Sequence, residues 1–161
     1  PAGVHRDLRS LPEDLRRQSA VVIGGGEAAL DTALSLADRG AAVQIWMRGA
    51  GPKACPPLLR EAKAANLRML AGRRLCGAQG GPGAWRLIDE RGISHAANQL
   101  MICIGRLSAD DLLQGIPQNA PGLFLAGDLI GGRERYIASA IGDGQRAAIK
   151  AGEFLKEGSE A

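Results

Sequence analysis

The stretch AVVIGGGEAALDTALSLADRGAAV, residues 20–43, decides the fold. A short apolar run, Val21, Val22 and Ile23, enters Gly24, Gly25 and Gly26, and a helical pattern follows with Leu30, Ala33, Leu34 and Ala37 on one face. Strand, tight turn and helix in that order predict a dinucleotide-binding β-α-β unit. Gly24 allows the turn, Gly26 lets the backbone approach a pyrophosphate, and Ala29, third in the G-x-G-x-x-A pattern, keeps the helix close to the strand. The free N–H groups of the first helical turn, at Glu27, Ala28 and Ala29, would face the phosphates. Glu27 and Asp31 lie near where a nicotinamide ribose would run, although helix-N-terminal charge favoured by the dipole is the stronger reading of both.

Working outward, Val43 to Met47 has strand-forming residues and should pair parallel to Val21–Ile23. An NAD site would offer a carboxylate at the end of that strand. The chain offers Arg48 and Lys53 instead, which favours a phosphate on the ribose and hence NADP over NAD, against the bland reading of two solvated loop cations. Pro56 and Pro57 start a second helix, and Leu67 to Leu70 reads as a third strand. From Gly72 to Asn98 the period changes: segments around Leu75, Trp85 to Ile88 and Ser94 to Ala97 are separated by the turn signals GAQGGPG and DERG. This predicts an antiparallel meander inserted as a crossover, with Trp85 a sheet aromatic and His95 a partly exposed strand residue. Leu100 to Ile104 is an uninterrupted apolar run suited to a central parallel strand, giving a sheet order third, second, first, fourth. Ser108, Asp110 and Asp111 fit a cap or short turn. Leu123 to Ala126 reads as one more strand, expected beside Leu100–Ile104 or paired across a dimer. The closing helix runs from about Tyr136 to Leu155, and Gly142 and Gly144 within it suggest close approach by another backbone or a ligand. The fold class is α/β, a Rossmann-like parallel sheet with a three-stranded antiparallel crossover meander. The expected division is a lead-in over 1–19, an NAD(P)-binding domain over 20–114 and a C-terminal piece over 115–161.

Composition bounds the function. The 161 residues suffice for one well-buried core but not for two full dinucleotide domains with a catalytic domain between them. A net charge of +3 with interspersed signs, and only 3% aromatics, argue against a base-stacking nucleic-acid groove. Cys55, Cys76 and Cys103 stand 21 and 27 residues apart, so the sequence holds neither a redox CxxC nor a metal cluster. No apolar run approaches the roughly 18 residues of a membrane span, and a cytoplasmic protein is the default expectation.

GGGEAALD, CIGR at Cys103–Arg106 and PGLFLAGD at Pro121–Asp128 together resemble the FAD/NAD(P)-dependent pyridine nucleotide-disulfide oxidoreductases, closest to the thioredoxin reductase branch. The resemblance runs from Val21 to about Leu155. It implies that Gly24 to Ala29 hold the NADPH pyrophosphate, and that Arg48 and Lys53 are the first and last cations of its ribose-phosphate clamp. Gly49 replaces the middle cation, which weakens the case for NADP over NAD. It also implies that Ile104 and Gly105 close the coenzyme domain, while Gly127 and Asp128 meet the flavin. Two family features have no counterpart: the first glycine motif, which holds the FAD adenosine, and the redox CxxC just upstream of the second. FAD is therefore expected only if a missing half is supplied, and no residue is assigned as acid, base or nucleophile. Three readings stay open. The chain is an NADP(H)-binding domain working with a flavin-binding partner subunit or as a homodimer, a stand-alone dinucleotide-binding or sensing module, or a fragment of a longer oxidoreductase.

Overall fold

The computed structural model describes residues 8–105, 113–117, 119–130 and 135–159. Two compact units divide the chain, residues 1–105 and 106–161. In the first, the elements are β1 (Ser19–Ile23), α1 (Glu27–Asp38), β2 (Ala42–Trp46), α2 (Pro56–Ala64), β3 (Arg68–Leu70), β4 (Leu75–Gly81), β5 (Ala84–Asp89), β6 (Ser94–Ala97) and β7 (Gln99–Ile102). The strands form a four-stranded parallel sheet, β3-β2-β1-β7, and a separate antiparallel sheet, β4-β5-β6. The α/β class, the sheet order and the meander crossover are as the sequence predicts.

Strand alternation explains the layering. Ala20 and Val22 of β1 join Val43, Ile45 and Met101 in a core with Ala29, Leu30, Ala33 and Leu36 of α1. Their neighbours Val21 and Ile23 point the other way, into a second core with Trp46, Leu100, Trp85, Leu87 and Ala97. Helices therefore cover one face of the parallel sheet and the meander covers the other, so its strands read as continuous apolar runs. The lead-in is tied to the first core by Leu8, Leu11 and Leu15.

Three expectations need correction. Leu100–Ile104 is not central: β7 ends the order at Ile102, and its apolar run reflects two covered faces rather than two paired edges. Leu123–Ala126 forms no strand, and among the described residues the parallel sheet has no fifth member. GAQGGPG is mostly strand: β4 runs through Gly81, and the turn shrinks to Pro82 and Gly83 because Gly77 to Gly81 pair through backbone with β5.

In the second unit, a 3-10 turn at Gly127–Leu129 precedes α3 (Ile137–Ser159), and Phe124 meets Phe154 edge-on at 6.0 Å. None of the described residues from 113 onward is buried. Ile137 is 82%, Ile141 67% and Leu155 70% exposed. Among the described residues no backbone approaches Gly142 or Gly144: a methyl at Gly144 would touch nothing within 4 Å, and one at Gly142 only the Arg146 guanidinium at 3.9 Å. Arg106, Ser108, Asp110 and Asp111 lie outside the described residues, as do Val4 and His5. No helix among the described residues is long and apolar enough to cross a membrane.

Candidate functional site

The glycine turn is built by close packing on one side and openness on the other. Gly24 has φ +141°, and its N–H donates to the Trp46 carbonyl at 3.0 Å. A Cβ placed there would lie 2.1 Å from the Cys103 carbonyl oxygen, so the turn passes against the chain leaving β7. Ala29 is fully buried beneath it, which is the close helix–strand contact the third motif position requires. Gly25 faces Met47, whose Cγ would be 3.0 Å from an added methyl. Gly26 caps α1 in extended conformation, and a methyl there would meet nothing within 4 Å. Open space thus lies in front of Gly26; the Ala29 N–H, expected to be free, donates instead to the Gly26 carbonyl at 3.1 Å, which leaves Glu27 and Ala28 as the helix-terminal N–H groups that favour an anion.

The basic loop is joined to this turn. The Lys53 N–H donates to the Gly25 carbonyl at 2.6 Å, and Lys53 bridges Gly26 in parallel fashion. Arg48 and Lys53 are both exposed. Ile104, 75% exposed, and Gly105, at φ +93°, follow Cys103 directly and so lie beside Gly24. The Glu27 side chain ties α1 to the start of α2: its Oε1 accepts the Cys55 N–H at 3.2 Å. A cleft of about 450 Å³ lies there, lined by Glu27, Ala28, Asp31, Cys55, Pro57, Leu58 and Glu61. Its three carboxylates make it unsuited to a pyrophosphate.

Cys55 and Cys76 are exposed, Cys103 is half-buried, and none is in a disulfide. Burial pushes the Cys103 thiol above its ordinary range, against a weaker opposing contact with Thr32 Oγ1 at 3.6 Å. Among the described residues no His, Cys, Asp and Glu group could hold a metal. In the second unit Gly127 has φ +70°, with the Ala140 methyl 3.6 Å from where its own would stand, and Asp128 is exposed in the turn before α3.

Asp89 carries no motif that singles it out in the sequence. This carboxylate is 1% exposed. Its Oδ1 accepts the N–H groups of Arg91 at 3.0 Å and Ile93 at 2.9 Å; Oδ2 lies 2.9 Å from His95 Nε2 and 3.7 Å from Arg73. Only the DERG turn hinted at it, since an Asp opening a turn accepts N–H groups a few residues on. Burial raises its pKa, but the His95 hydrogen bond, then the Ile93 and Arg91 N–H groups, outweigh burial and hold it below the usual carboxylate range. A depressed folded value means that Asp89 stabilises the fold above the unfolded pKa of about 3.9 and loses that contribution as pH falls through the folded value. Urea unfolding of the unmodified chain should therefore weaken more steeply below about pH 4 than that of Asp89→Asn; parallel profiles would show that Asp89 does not govern acid stability.

No protein-family model matches the sequence, and no curated protein does. Solved structures do. The thioredoxin reductase of Lactococcus lactis is similar over 97% of this chain and 64% of its own, at 22% identity and a TM-score of 0.77. The atypical thioredoxin reductase of Desulfovibrio vulgaris Hildenborough is similar over 97% of this chain and 57% of its own, at 28% identity and a TM-score of 0.58. An engineered water-forming NADPH oxidase, solved bound to NADPH, matches 61% of this chain and 23% of its own, at 18% identity and a TM-score of 0.51. The chain spans 57% to 64% of the length of the two reductases. In fold, the chain is similar to part of the thioredoxin reductases.

Proposed function

We propose that residues 8–105 bind NADP(H), as one component of a thioredoxin reductase-like flavoprotein oxidoreductase. The observation that carries this reading is the Lys53 N–H to Gly25 carbonyl bond, which brings the loop bearing Arg48 and Lys53 onto the glycine turn. Backbone N–H groups beyond Gly26 would hold the pyrophosphate, and Arg48 and Lys53 the ribose phosphate. Ile104 and Gly105 would border the coenzyme. A bound nicotinamide supplies the hydride; the chain supplies placement and orientation. That one of the similar structures was solved bound to NADPH is in keeping with a coenzyme of this class.

For the second unit, the absence of any buried residue among those described favours a flavin-domain-like piece needing more polypeptide over a self-sufficient module. Gly127 and Asp128 would then touch a flavin whose remaining contacts come from a partner subunit or from further chain. Hydride passage from nicotinamide to that flavin is the reaction this assembly would serve, in a soluble, cytoplasmic setting.

Calorimetric titration with both coenzymes tests the coenzyme reading. Charge-assisted phosphate bonds contribute about 1.5–3 kcal/mol, so NADPH should bind about tenfold or more tightly than NADH. Arg48→Ala should remove most of that difference and leave NADH affinity nearly unchanged. Equal affinities for the unmodified chain would reduce Arg48 and Lys53 to solvated loop cations.

A further inference from the structure

We infer that Arg73 is a positioning residue for coenzyme choice: it braces the Arg48 loop through its backbone while its side chain is fixed to the buried Asp89 of the meander. This rests on the reading that Arg48 meets the ribose phosphate. Two backbone bonds flank Arg48. The Arg73 N–H donates to the Met47 carbonyl at 2.8 Å, and the Gly72 N–H donates to the Gly49 carbonyl at 3.0 Å. Arg48 therefore projects from a three-residue arch whose two ends are held by residues 72 and 73. Gly49 and Gly72 give this arch little stiffness of its own, so the brace decides where Arg48 stands.

The brace is itself fixed. The Arg73 guanidinium lies over the Trp46 ring, 5.3 Å from its centre, with Nη1 3.7 Å from Asp89 Oδ2. His95 also meets Trp46 edge-on at 5.0 Å. With Asp89 ionised, His95 Nε2 must carry the proton, because a bare lone pair 2.9 Å from a carboxylate oxygen would be repelled. The carboxylate then takes one hydrogen bond from His95 and one charge from Arg73. Two further charged groups stand close: Glu90, whose Oε2 accepts the Arg74 N–H at 2.7 Å, and Arg91, 3.9 Å from Glu90. Asp89 and His95 belong to the meander, whereas Trp46, Arg48 and Arg73 belong to the parallel sheet and its loops. The cluster thus links the crossover sheet to the coenzyme loop.

The test is a double-mutant cycle read as coenzyme preference. NADPH and NADH are titrated against the unmodified chain, Arg48→Ala, Arg73→Gln and the double variant, with Arg73→Lys as the conservative control. Arg73→Gln should reduce the NADPH preference from about tenfold to about twofold, leave NADH affinity within about twofold, and cause no further loss when added to Arg48→Ala. Arg73→Lys, which keeps a cation for Asp89, should retain most of the preference. If Arg73→Gln does not fold, the same loss is read in Asp89→Asn, which removes the charge but keeps an oxygen for the Arg91 and Ile93 N–H groups. Full preference in Arg73→Gln beside its loss in Arg48→Ala overturns this inference alone. Parallel loss of both coenzymes overturns it too, since that marks a merely structural role. Equal affinities in the unmodified chain overturn the coenzyme reading and this inference with it.

Discussion

Gly24→Ala is expected to destabilise the first unit severely, while Gly26→Ala, two residues on, should leave stability nearly intact and cost coenzyme affinity. The new methyl at position 24 would stand 2.1 Å from the Cys103 carbonyl oxygen, on a residue with φ +141°. Neither problem has an easy exit. The oxygen belongs to backbone continuing from β7, whose Cys103 N–H donates to the Ile23 carbonyl at 2.8 Å, so retreat would disturb the β1–β7 pairing. An unfavourable backbone conformation and overpacking each cost about 1–3 kcal/mol, together roughly 2–6 kcal/mol. That is a large share of the ~5–15 kcal/mol by which a domain is stable. At position 26 the methyl meets nothing within 4 Å and φ is −88°. The poorer N-cap and the lower entropy of the unfolded chain nearly offset, so stability should stay within about 1 kcal/mol. The same methyl would occupy the space a pyrophosphate needs, and NADPH affinity should fall about tenfold or more, the loss of one to two charge-assisted bonds. Urea midpoints and titrations of both variants check the pair. A well-folded Gly24→Ala, or a Gly26→Ala with full affinity, would contradict the site geometry.

That contrast shows what could be read without coordinates. The roles of Gly24 and Ala29 were legible because the motif sits between an apolar strand and a periodic helix, so local chemistry and tertiary packing agree. The sheet order followed from apolar runs and crossover handedness. Where pattern failed, a non-local cause won. Gly77 to Gly81 have turn composition, yet they form strand because Trp85 and Leu87 of the paired β5 are buried and bring their partner with them. Leu123 to Ala126 have strand composition, yet they form no strand, since an apolar tetrad becomes a strand only where an edge receives it. Asp89, His95 and Arg73 are invisible as a cluster, because only the folding of the meander over Trp46 brings them together.

The 161-residue chain by itself is expected to retain no FAD after desalting and to show no NADPH-dependent disulfide reductase activity. Slow flavin release needs a cofactor enclosed on most sides. In the second unit the turn at Asp128 and the helix after it contain no buried residue among those described, so they cannot enclose one. The reductases similar to this chain are longer: it spans 64% of one and 57% of the other. Disulfide exchange also needs two thiols whose Cα atoms come within about 7 Å. Cys55 stands at the start of α2, Cys76 on β4 and Cys103 beyond β7, and none is in a disulfide. The measurement is the flavin absorption band after incubation with excess FAD and gel filtration, followed by NADPH oxidation with a disulfide acceptor. Stoichiometric yellow protein would mean that the chain completes a flavin site by itself or between copies. Colourless protein that binds NADPH, and takes up flavin only when a polypeptide supplying the adenosine-binding half is added, would identify that half as what covers Ile137, Ile141 and Leu155. If flavin uptake left α3 as exposed as before by hydrogen exchange, the cover would have to come from elsewhere, and Asp128 would lose its assignment to the flavin.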